Sequence, residues 1–299
     1  MAFLDTPYHI EREDADLYVE QVGPESGPLL YYLHGGPGYN SYSFRDLIGD
    51  DLESFRMIYA DQRGAGRSYA GHDFELDDLA EDVVTVLDAL ELPATSLLAH
   101  GFGALIAARF ATRFPERLER LLFVNPWFSM PLLARALQRE AAVASRQTEL
   151  ALPPEEALAD PEALDAEELV DQAFEWVAAK QLFDRMEFPD PSSRLRLEHS
   201  DSEALLGPHA SAMPAAPWKL EVLDELSAVA APTVVMASRE DRTSYPEQAE
   251  AGLERLPHAL FSLLPGGHYP WIDGTDAFLS VLREGMSLPV EEDEERRHR

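Results

Sequence analysis

Five apolar runs in this sequence are each followed directly by a motif of glycines, histidines or acidic residues. These runs occupy residues 29–33, 56–60, 96–99, 233–237 and 260–264. Helical patterns separate several of them, such as 76–90, where apolar residues recur at helical spacing. Alternating strands and helices predict an α/β fold, with a mostly parallel sheet and helices on both faces. Because open α/β sheets bind ligands at the carboxyl ends of their strands, we expect the motifs to meet at one edge.

The same alternation predicts two units in the chain of 299 residues. We expect residues 1–126 and 218–285 to form the core, which begins with a hairpin. Residues 127–217 are rich in Ala, Glu, Leu and Arg, with prolines at the expected helix boundaries. That composition predicts a helical cap inserted into the core. The almost entirely charged end of the chain predicts a disordered tail at 286–299.

Composition restricts the partners and cofactors. The formal net charge of −31 disfavours nucleic acid and anionic membranes, so we expect neither as a partner. No cysteine is present, which excludes thiolate catalysis and cysteine-bound zinc. The histidines lack metal-binding spacing and no dinucleotide or phosphate loop occurs, so we expect no metal and no cofactor. The first residues are acidic and lack the apolar stretch of a secretion signal, which predicts a cytoplasmic location. The sequence leaves the oligomeric state open.

The first motif is His34-Gly35-Gly36-Pro37-Gly38, directly after the run at 29–33. Glycines at this point let the backbone turn sharply and present N–H groups to a substrate oxygen. An ordinary glycine-rich turn has the same composition, so the motif alone leaves both interpretations open. HGGG-type loops of lipases and esterases contribute to the oxyanion hole in this way. We therefore interpret Gly35 and Gly36 as candidate oxyanion donors.

The second motif, DQRGAGRS at 61–68, ends the next strand. We expect it to support the neighbouring loop, with Asp61 and Arg63 forming a charge-assisted pair. Ser68 has no base beside it in sequence and is not a candidate nucleophile.

The third motif, Ala99-His100-Gly101-Phe102-Gly103, lies between a predicted strand and a predicted helix. This is the context of the nucleophile elbow, G-x-S-x-G, in which the central serine attacks the substrate. Gly101 takes the place of that serine, and the backbone there is expected to have a positive φ, which glycine tolerates better than serine. The side-chain nucleophile is therefore missing, and no other G-x-S-x-G occurs.

The last two motifs supply an acid and a base. Asp241 follows the run at 233–237 and is the candidate that orients an imidazolium, with Glu240 as the alternative. His268 follows the run at 260–264 and is placed to be a general base. The chain order of elbow, acid and histidine is typical of the α/β-hydrolase fold.

HGGPG followed by DQRGAGRS, an elbow, a helical region and a terminal GGH resembles the proline iminopeptidases and their relatives. The resemblance extends to about residue 283. It implies an α/β-hydrolase fold with an eight-stranded, mostly parallel sheet and a helical cap. It also implies release of an N-terminal residue, usually proline, from small peptides through an acyl-enzyme. By the same resemblance, Phe102 and Gly36 (or Gly35) would donate backbone N–H groups to the oxyanion, and Asp241 and His268 would be acid and base.

Two departures from the family pattern concern the site. Gly101 stands where the family has its serine, and the cap lacks a clear match to the family's Trp-Glu pair, which helps to hold the substrate amine. Trp176 with Glu175 is our candidate for substrate binding, and Glu187 and Glu198 are alternatives. Glutamates on helices are more often simply solvated.

Three functional hypotheses remain. In the first, the chain is a relative that binds a small peptide or small molecule under its cap, with serine-type activity absent or very weak. In the second, the Asp241–His268 pair activates a water or abstracts a substrate proton. In the third, a natural serine was replaced by Gly101 to trap a complex.

Overall fold

The computed structural model describes residues 3–146, 165–204 and 212–290. Its strands are β1 (Phe3–Glu11), β2 (Ala15–Pro24), β3 (Leu29–Leu33), β4 (Arg56–Ala60), β5 (Tyr69–Ala70), β6 (Thr95–His100), β7 (Leu118–Val124), β8 (Thr233–Ser238) and β9 (Leu260–Leu264). The α-helices are α1 (Tyr42–Ile48), α2 (Leu76–Ala89), α3 (Gly103–Arg113), α4 (Met130–Ala144), α5 (Ala166–Trp176), α6 (Ala179–Glu187), α7 (Pro191–Glu203), α8 (Glu247–Leu253), α9 (Pro270–Asp273) and α10 (Thr275–Met286).

One sheet contains all of these strands, in the order β1-β2-β4-β3-β6-β7-β8-β9, and β5 pairs with β2 off this path. The pairs from β4 to β9 are parallel, whereas the opening hairpin β1–β2 and the pair β2–β4 are antiparallel. The predicted mostly parallel sheet is confirmed, with eight strands on the continuous path and the two-residue β5 in addition. Each predicted motif follows a parallel strand and therefore lies at the same edge of the sheet.

Helices cover both faces of the sheet. Alternate residues of each strand point to opposite faces, so each strand contributes to two cores. On β3, Tyr31 and Leu33 pack into the core that α2 and α3 cover. Leu30 and Tyr32 pack into the second core, which contains apolar residues of α1 and α10. The central strands are therefore buried on both sides, which explains why they are continuous apolar runs.

Between β7 and β8 the described residues form α4 to α7. Helix α7 is held on the core: Tyr39 Oη donates to Asp201 Oδ1 at 2.6 Å, and Ser200 Oγ donates to Asp46 Oδ2 at 2.7 Å. The division into core and cap stays a prediction, and residues 147–164 and 205–211 of that region lie outside the described residues. So do residues 291–299 of the predicted tail. No helix within the described ranges is long and apolar enough to cross a bilayer.

Candidate active site

The turn between β6 and α3 carries Gly101, whose φ is +50°. Its N–H donates to the Val124 carbonyl at 3.1 Å, and its carbonyl accepts from the Trp127 amide at 3.0 Å. Both bonds lie at the carboxyl ends of neighbouring strands, so the turn is fixed by the sheet itself. A left-handed φ costs a residue with a Cβ about 1 kcal/mol, which glycine avoids.

His268 and Asp241 form a buried hydrogen-bonded pair beside this turn. His268 Nδ1 lies 2.8 Å from Asp241 Oδ2. Thr243 donates both its amide, at 2.9 Å, and its hydroxyl, at 2.7 Å, to Asp241 Oδ1. The Trp127 indole donates to that hydroxyl at 3.0 Å and its ring stacks on the His268 imidazole. Both oxygens of the carboxylate are thus engaged, which fixes the orientation of the imidazole. Glu240, the alternative acid, is exposed.

The pair holds His268 as a base that faces the elbow. Burial alone would lower the pKa of His268, but the charge and hydrogen bond of Asp241 and the charge of Glu187 raise that pKa above its usual value. With Nδ1–H donating to Asp241, Nε2 is the basic atom of the neutral ring. A Cβ placed on Gly101 would lie 3.1 Å from Nε2. Nε2 therefore points at the position where a side chain of residue 101 would begin.

The candidate oxyanion loop faces the same point. A Cβ on Gly101 would lie 3.7 Å from the Gly35 Cα. His34 fixes this loop: Nε2 accepts from the Gln62 amide at 3.0 Å, so Nδ1–H donates to the Gly35 carbonyl at 2.6 Å. Within the part of the chain that the structure describes, the amides of Gly36 and Phe102 donate to no acceptor. Free N–H groups beside the elbow are what an oxyanion hole requires.

The second motif supports this edge with partners other than the predicted ones. The prediction that Asp61 pairs with Arg63 is wrong. Asp61 pairs instead with Arg67, whose Nε lies 2.6 Å from Asp61 Oδ2. Gly64 and Gly66 both have positive φ, and the turn that they form returns Arg67 to Asp61. Arg63 instead points to α2.

Arg63 is almost fully buried and binds Asp82 on α2 through two bonds of 2.6 Å. Asp14 accepts a third bond from its Nη1 at 2.7 Å. The motif thus ties the edge of the sheet to α2, which agrees with its expected supporting role.

The candidate substrate-binding residues occupy different environments. Glu175 is exposed on α5, whereas Trp176 beside it is half-buried against the core. Glu198 is half-buried and pairs with Lys180 and Arg194. Glu187, at the end of α6, is only 8% exposed. Among these glutamates the structure brings Glu187 to the His268–Asp241 pair.

The Glu187 carboxyl has no hydrogen-bond or ion-pair partner among the described residues. Its pKa is raised to about 7, and burial is the largest cause. The charge of His268 lowers this pKa, and the charge of Asp241 raises it further. It is therefore divided between its protonated and ionised forms near neutral pH.

Several residues at the site were missed by the sequence interpretation. Asn125, at a φ of +44°, donates from Nδ2 to the His268 carbonyl at 2.9 Å and accepts from the Ser238 amide at 2.6 Å. His100 donates from Nε2 to the same His268 carbonyl at 3.0 Å. Burial, and then the charge of His268, lower the pKa of His100 well below its usual value, so that it stays neutral. The only sequence signal for these residues is the position of His100 inside the elbow motif, which places it next to the site.

No three histidine, aspartate or glutamate side chains of the described ranges converge as a metal-binding group. The chemistry that this arrangement can perform is proton transfer at His268 Nε2, next to N–H groups that can stabilise a developing negative charge.

Known proteins share this fold. A family model for the alpha/beta hydrolase fold matches residues 28–275. The structure of a proline iminopeptidase-related protein from Thermus thermophilus is 36% identical, with a TM-score of 0.81, and the match covers 95% of this chain and 97% of that one. The proline iminopeptidase of Mycobacterium smegmatis is 22% identical over 94% of this chain and 97% of its own, with a TM-score of 0.68, and so shows the fold alone. The resemblance predicted from the motifs is confirmed.

Curated relatives match over shorter segments. A putative carbamate hydrolase from Variovorax paradoxus (strain S110) is 37% identical over 37% of this chain and 42% of its own length. This chain spans less than half the length of the curated relatives that it matches first, two of which are epoxide hydrolases.

Proposed function

The chain belongs to the α/β-hydrolase fold family, among the proline iminopeptidase-related proteins, and we propose that it is a small-molecule hydrolase that works without a serine nucleophile. In this proposal the His268–Asp241 pair removes a proton from water. The water attacks a carbonyl group whose oxygen is held by the amides of Phe102 and of Gly36 or Gly35. Gly101 occupies the nucleophile position and contributes no atom to the reaction.

The observation that carries this proposal is the direction of His268 Nε2. A Cβ on Gly101 would lie 3.1 Å from Nε2, so the base points at the elbow although no hydroxyl stands there. Asp241 and Thr243 still hold the ring through bonds of 2.7 to 2.9 Å. An oriented base beside free N–H groups supports catalysis by activated water better than a site that has decayed.

The family reaction, serine-type release of an N-terminal proline, is expected to be absent or very weak. Glycine cannot form an acyl-enzyme. Loss of a triad nucleophile lowers turnover by about 10⁶, while the oxyanion hole and binding retain roughly 10³ over water.

The substrate is expected to be a small peptide or small molecule held under helices α4 to α7. Three candidate residues bear on its binding. Trp176 is half-buried against the core and Glu175 beside it is exposed, whereas Glu187 is buried next to His268. Of these three residues, Glu187 is therefore the one that a substrate bound beside His268 would reach.

A comparison of four proteins tests the proposal: wild type, His268→Ala, Gly101→Ser and His9→Ala as an exposed-histidine control. The substrates are p-nitrophenyl acetate and proline p-nitroanilide. We expect wild type to hydrolyse the ester without a burst, and His268→Ala to lower that rate at least about 100-fold. His9→Ala should match wild type, because His9 is exposed on the edge strand β1. Unchanged rates in His268→Ala would exclude the pair as the base.

A ligand-binding protein without catalysis is the second candidate, and the missing side chain at Gly101 favours it. Here wild type would hydrolyse neither substrate, while Gly101→Ser would show burst release of p-nitrophenol. That pattern would identify a binding site preserved around a missing hydroxyl. Inertness of both proteins would instead indicate a site that has lost hydrolase chemistry, or one that abstracts a substrate proton.

A further inference from the structure

Glu187 lies against the loop that carries the proposed base. Its carbonyl oxygen accepts from the His268 amide at 2.8 Å, so the two residues are joined through their backbones. A Cβ on Gly267 would overlap that carbonyl oxygen, which means that the two segments touch there. The carboxyl of Glu187 is therefore within one side-chain length of the His268 backbone, on the side of helix α6.

Helix α6 also contacts the acid loop. The Arg242 amide donates to the Met186 carbonyl at 3.0 Å, and an Arg242 guanidinium N–H donates to the Arg185 carbonyl at 2.6 Å. The end of α6 is thus hydrogen-bonded to both loops of the His268–Asp241 pair. The backbone of Glu187 therefore has a fixed position relative to the base.

A structural role does not account for the Glu187 carboxyl. Burying a carboxyl costs free energy unless it is paired or hydrogen-bonded. Glu187 is 8% exposed and has neither kind of partner within the described ranges. A largely buried carboxyl that has no partner, and whose oxygens keep some solvent exposure beside a catalytic pair, is a candidate for function.

The charges that face Glu187 come from three elements. His268 and Asp241 lie on the loops after β9 and β8, and Asp184 and Lys180 lie on α6 itself. Tyr269, next to His268, has its pKa raised well above the usual value by burial and then by the charge of Glu187. Burial is the largest cause of the raised Glu187 pKa, and the nearby carboxylates add to it, so a proton is available there at neutral pH.

We propose that Glu187 is a catalytic general acid, which protonates the leaving group while His268 activates water. This inference rests on the proposed function, because it assigns the second proton transfer of the same hydrolysis. Holding a substrate amine is a different role, which the test below separates.

The proton balance is closed by the two side chains. Water forms a bond to the carbonyl carbon and loses one proton to His268 Nε2, and the carbonyl π electrons move to the oxygen. When the carbonyl re-forms, the bond to the leaving group breaks, and that group takes its proton from Glu187. The protonated His268 then returns a proton to the Glu187 carboxylate through solvent, so that an ester and water yield an acid and an alcohol.

Leaving-group dependence tests this role. The assay compares p-nitrophenyl acetate, whose leaving group needs no proton, with ethyl acetate, whose leaving group does. Glu187→Gln keeps the shape of the side chain but cannot donate as an acid. We expect it to lower kcat for ethyl acetate about 100-fold or more and to change p-nitrophenyl acetate hydrolysis less than about threefold. Glu168→Gln, an exposed glutamate on α5, is the control and should leave both rates unchanged.

The pH profile gives a second readout. For ethyl acetate, wild type needs a neutral His268 and a protonated Glu187, so activity should form a bell near neutral pH. The alkaline fall should be missing for p-nitrophenyl acetate, and Glu187→Gln should also lack it. Retained p-nitrophenyl acetate hydrolysis in the variant shows that it is folded.

Three results would overturn the inference, and they differ in what they say of the proposed function. Equal losses for both esters, with activity still abolished by His268→Ala, would remove Glu187 as the acid and keep the base. A raised KM confined to substrates with a free amine, tested with alanine ethyl ester against ethyl propionate, would assign Glu187 to amine binding. Wild type that hydrolyses no ester would overturn both proposals.

Discussion

The amide nitrogen of His268 lies 2.8 Å from the carbonyl oxygen of Glu187, which joins the loop of the proposed base to the end of helix α6. Gly267 makes this approach feasible. A Cβ there would overlap the Glu187 carbonyl oxygen and lie 2.5 Å from Pro189 Cδ. Backbone atoms cannot yield as a flexible side chain can, so the contact depends on glycine.

Gly267→Ala is therefore expected to lower the free energy of unfolding by about 1–3 kcal/mol and to reduce any His268-dependent activity. Gly49→Ala is the matched control. A Cβ there would lie 3.5 Å from its nearest neighbour, with an ordinary negative φ, so the change should be within about 1 kcal/mol. Urea denaturation measures the free energy of unfolding of both variants. An equal loss in the two would contradict the prediction.

The parallel strands could be predicted because each contains an apolar run bounded by turn residues. The bounds of β3, β4 and β9 agree with the sequence interpretation. Helix α1, which has seven residues, and β5, which has two, were missed because such short segments have little periodicity.

The sequence could predict only those residues of the site that directly follow parallel strands, because the ends of such strands lie together at one edge of the sheet. Gly101, Asp241 and His268 meet because each follows a parallel strand of one sheet. The pairing of Asp61 could not be predicted, since it depends on a turn that returns Arg67. Nor could the burial of Glu187, because a glutamate at the end of a helix normally faces solvent and only tertiary packing reverses this.

Gly101→Ser is expected to lower the free energy of unfolding by about 1–2 kcal/mol. The residue would adopt a φ of +50°, and its Cβ would lie 3.1 Å from His268 Nε2, so the imidazole must shift by a few tenths of an ångström. Gly101→Ala should cost about the same, since both add the Cβ. Thermal unfolding measures the cost, and stabilisation by either substitution would show that the elbow backbone is not strained for a side chain.

Asp82→Ala is expected to destabilise the protein by about 3–5 kcal/mol, because it leaves the buried Arg63 guanidinium without its two-bonded partner. The matched control is Asp88→Ala, whose carboxylate is 64% exposed and pairs with Arg117 at 2.7 Å. Such a surface pair contributes about 0–1 kcal/mol. Similar losses in urea denaturation would contradict a supporting role for the second motif.

Asp241→Asn should change the pH dependence of any His268-dependent activity. The Asp241 charge and hydrogen bond raise the pKa of His268 against the opposing effect of burial. Without the charge the pKa falls, so the acid limb of the rate profile should move to lower pH. The plateau should drop by about 10³–10⁴, because Asn no longer holds the required tautomer. An acid limb that stays in place would show that another group controls it.

Glu187→Gln should change how stability depends on pH. Burial raises the pKa of Glu187 from 4.5 to about 7, so the folded state binds more protons than the unfolded state between these values. The contribution of this carboxyl to the stability of wild type therefore falls as pH rises from 4.5 to 7, by at most on the order of 3 kcal/mol, because a buried carboxyl becomes charged. Glutamine carries no charge, so the free energy of unfolding of the variant should increase relative to that of wild type across this pH range. Urea denaturation at about pH 5 and about pH 8 measures the difference. A constant gap between the two proteins would mean that the carboxyl ionises as freely as it does in the unfolded chain.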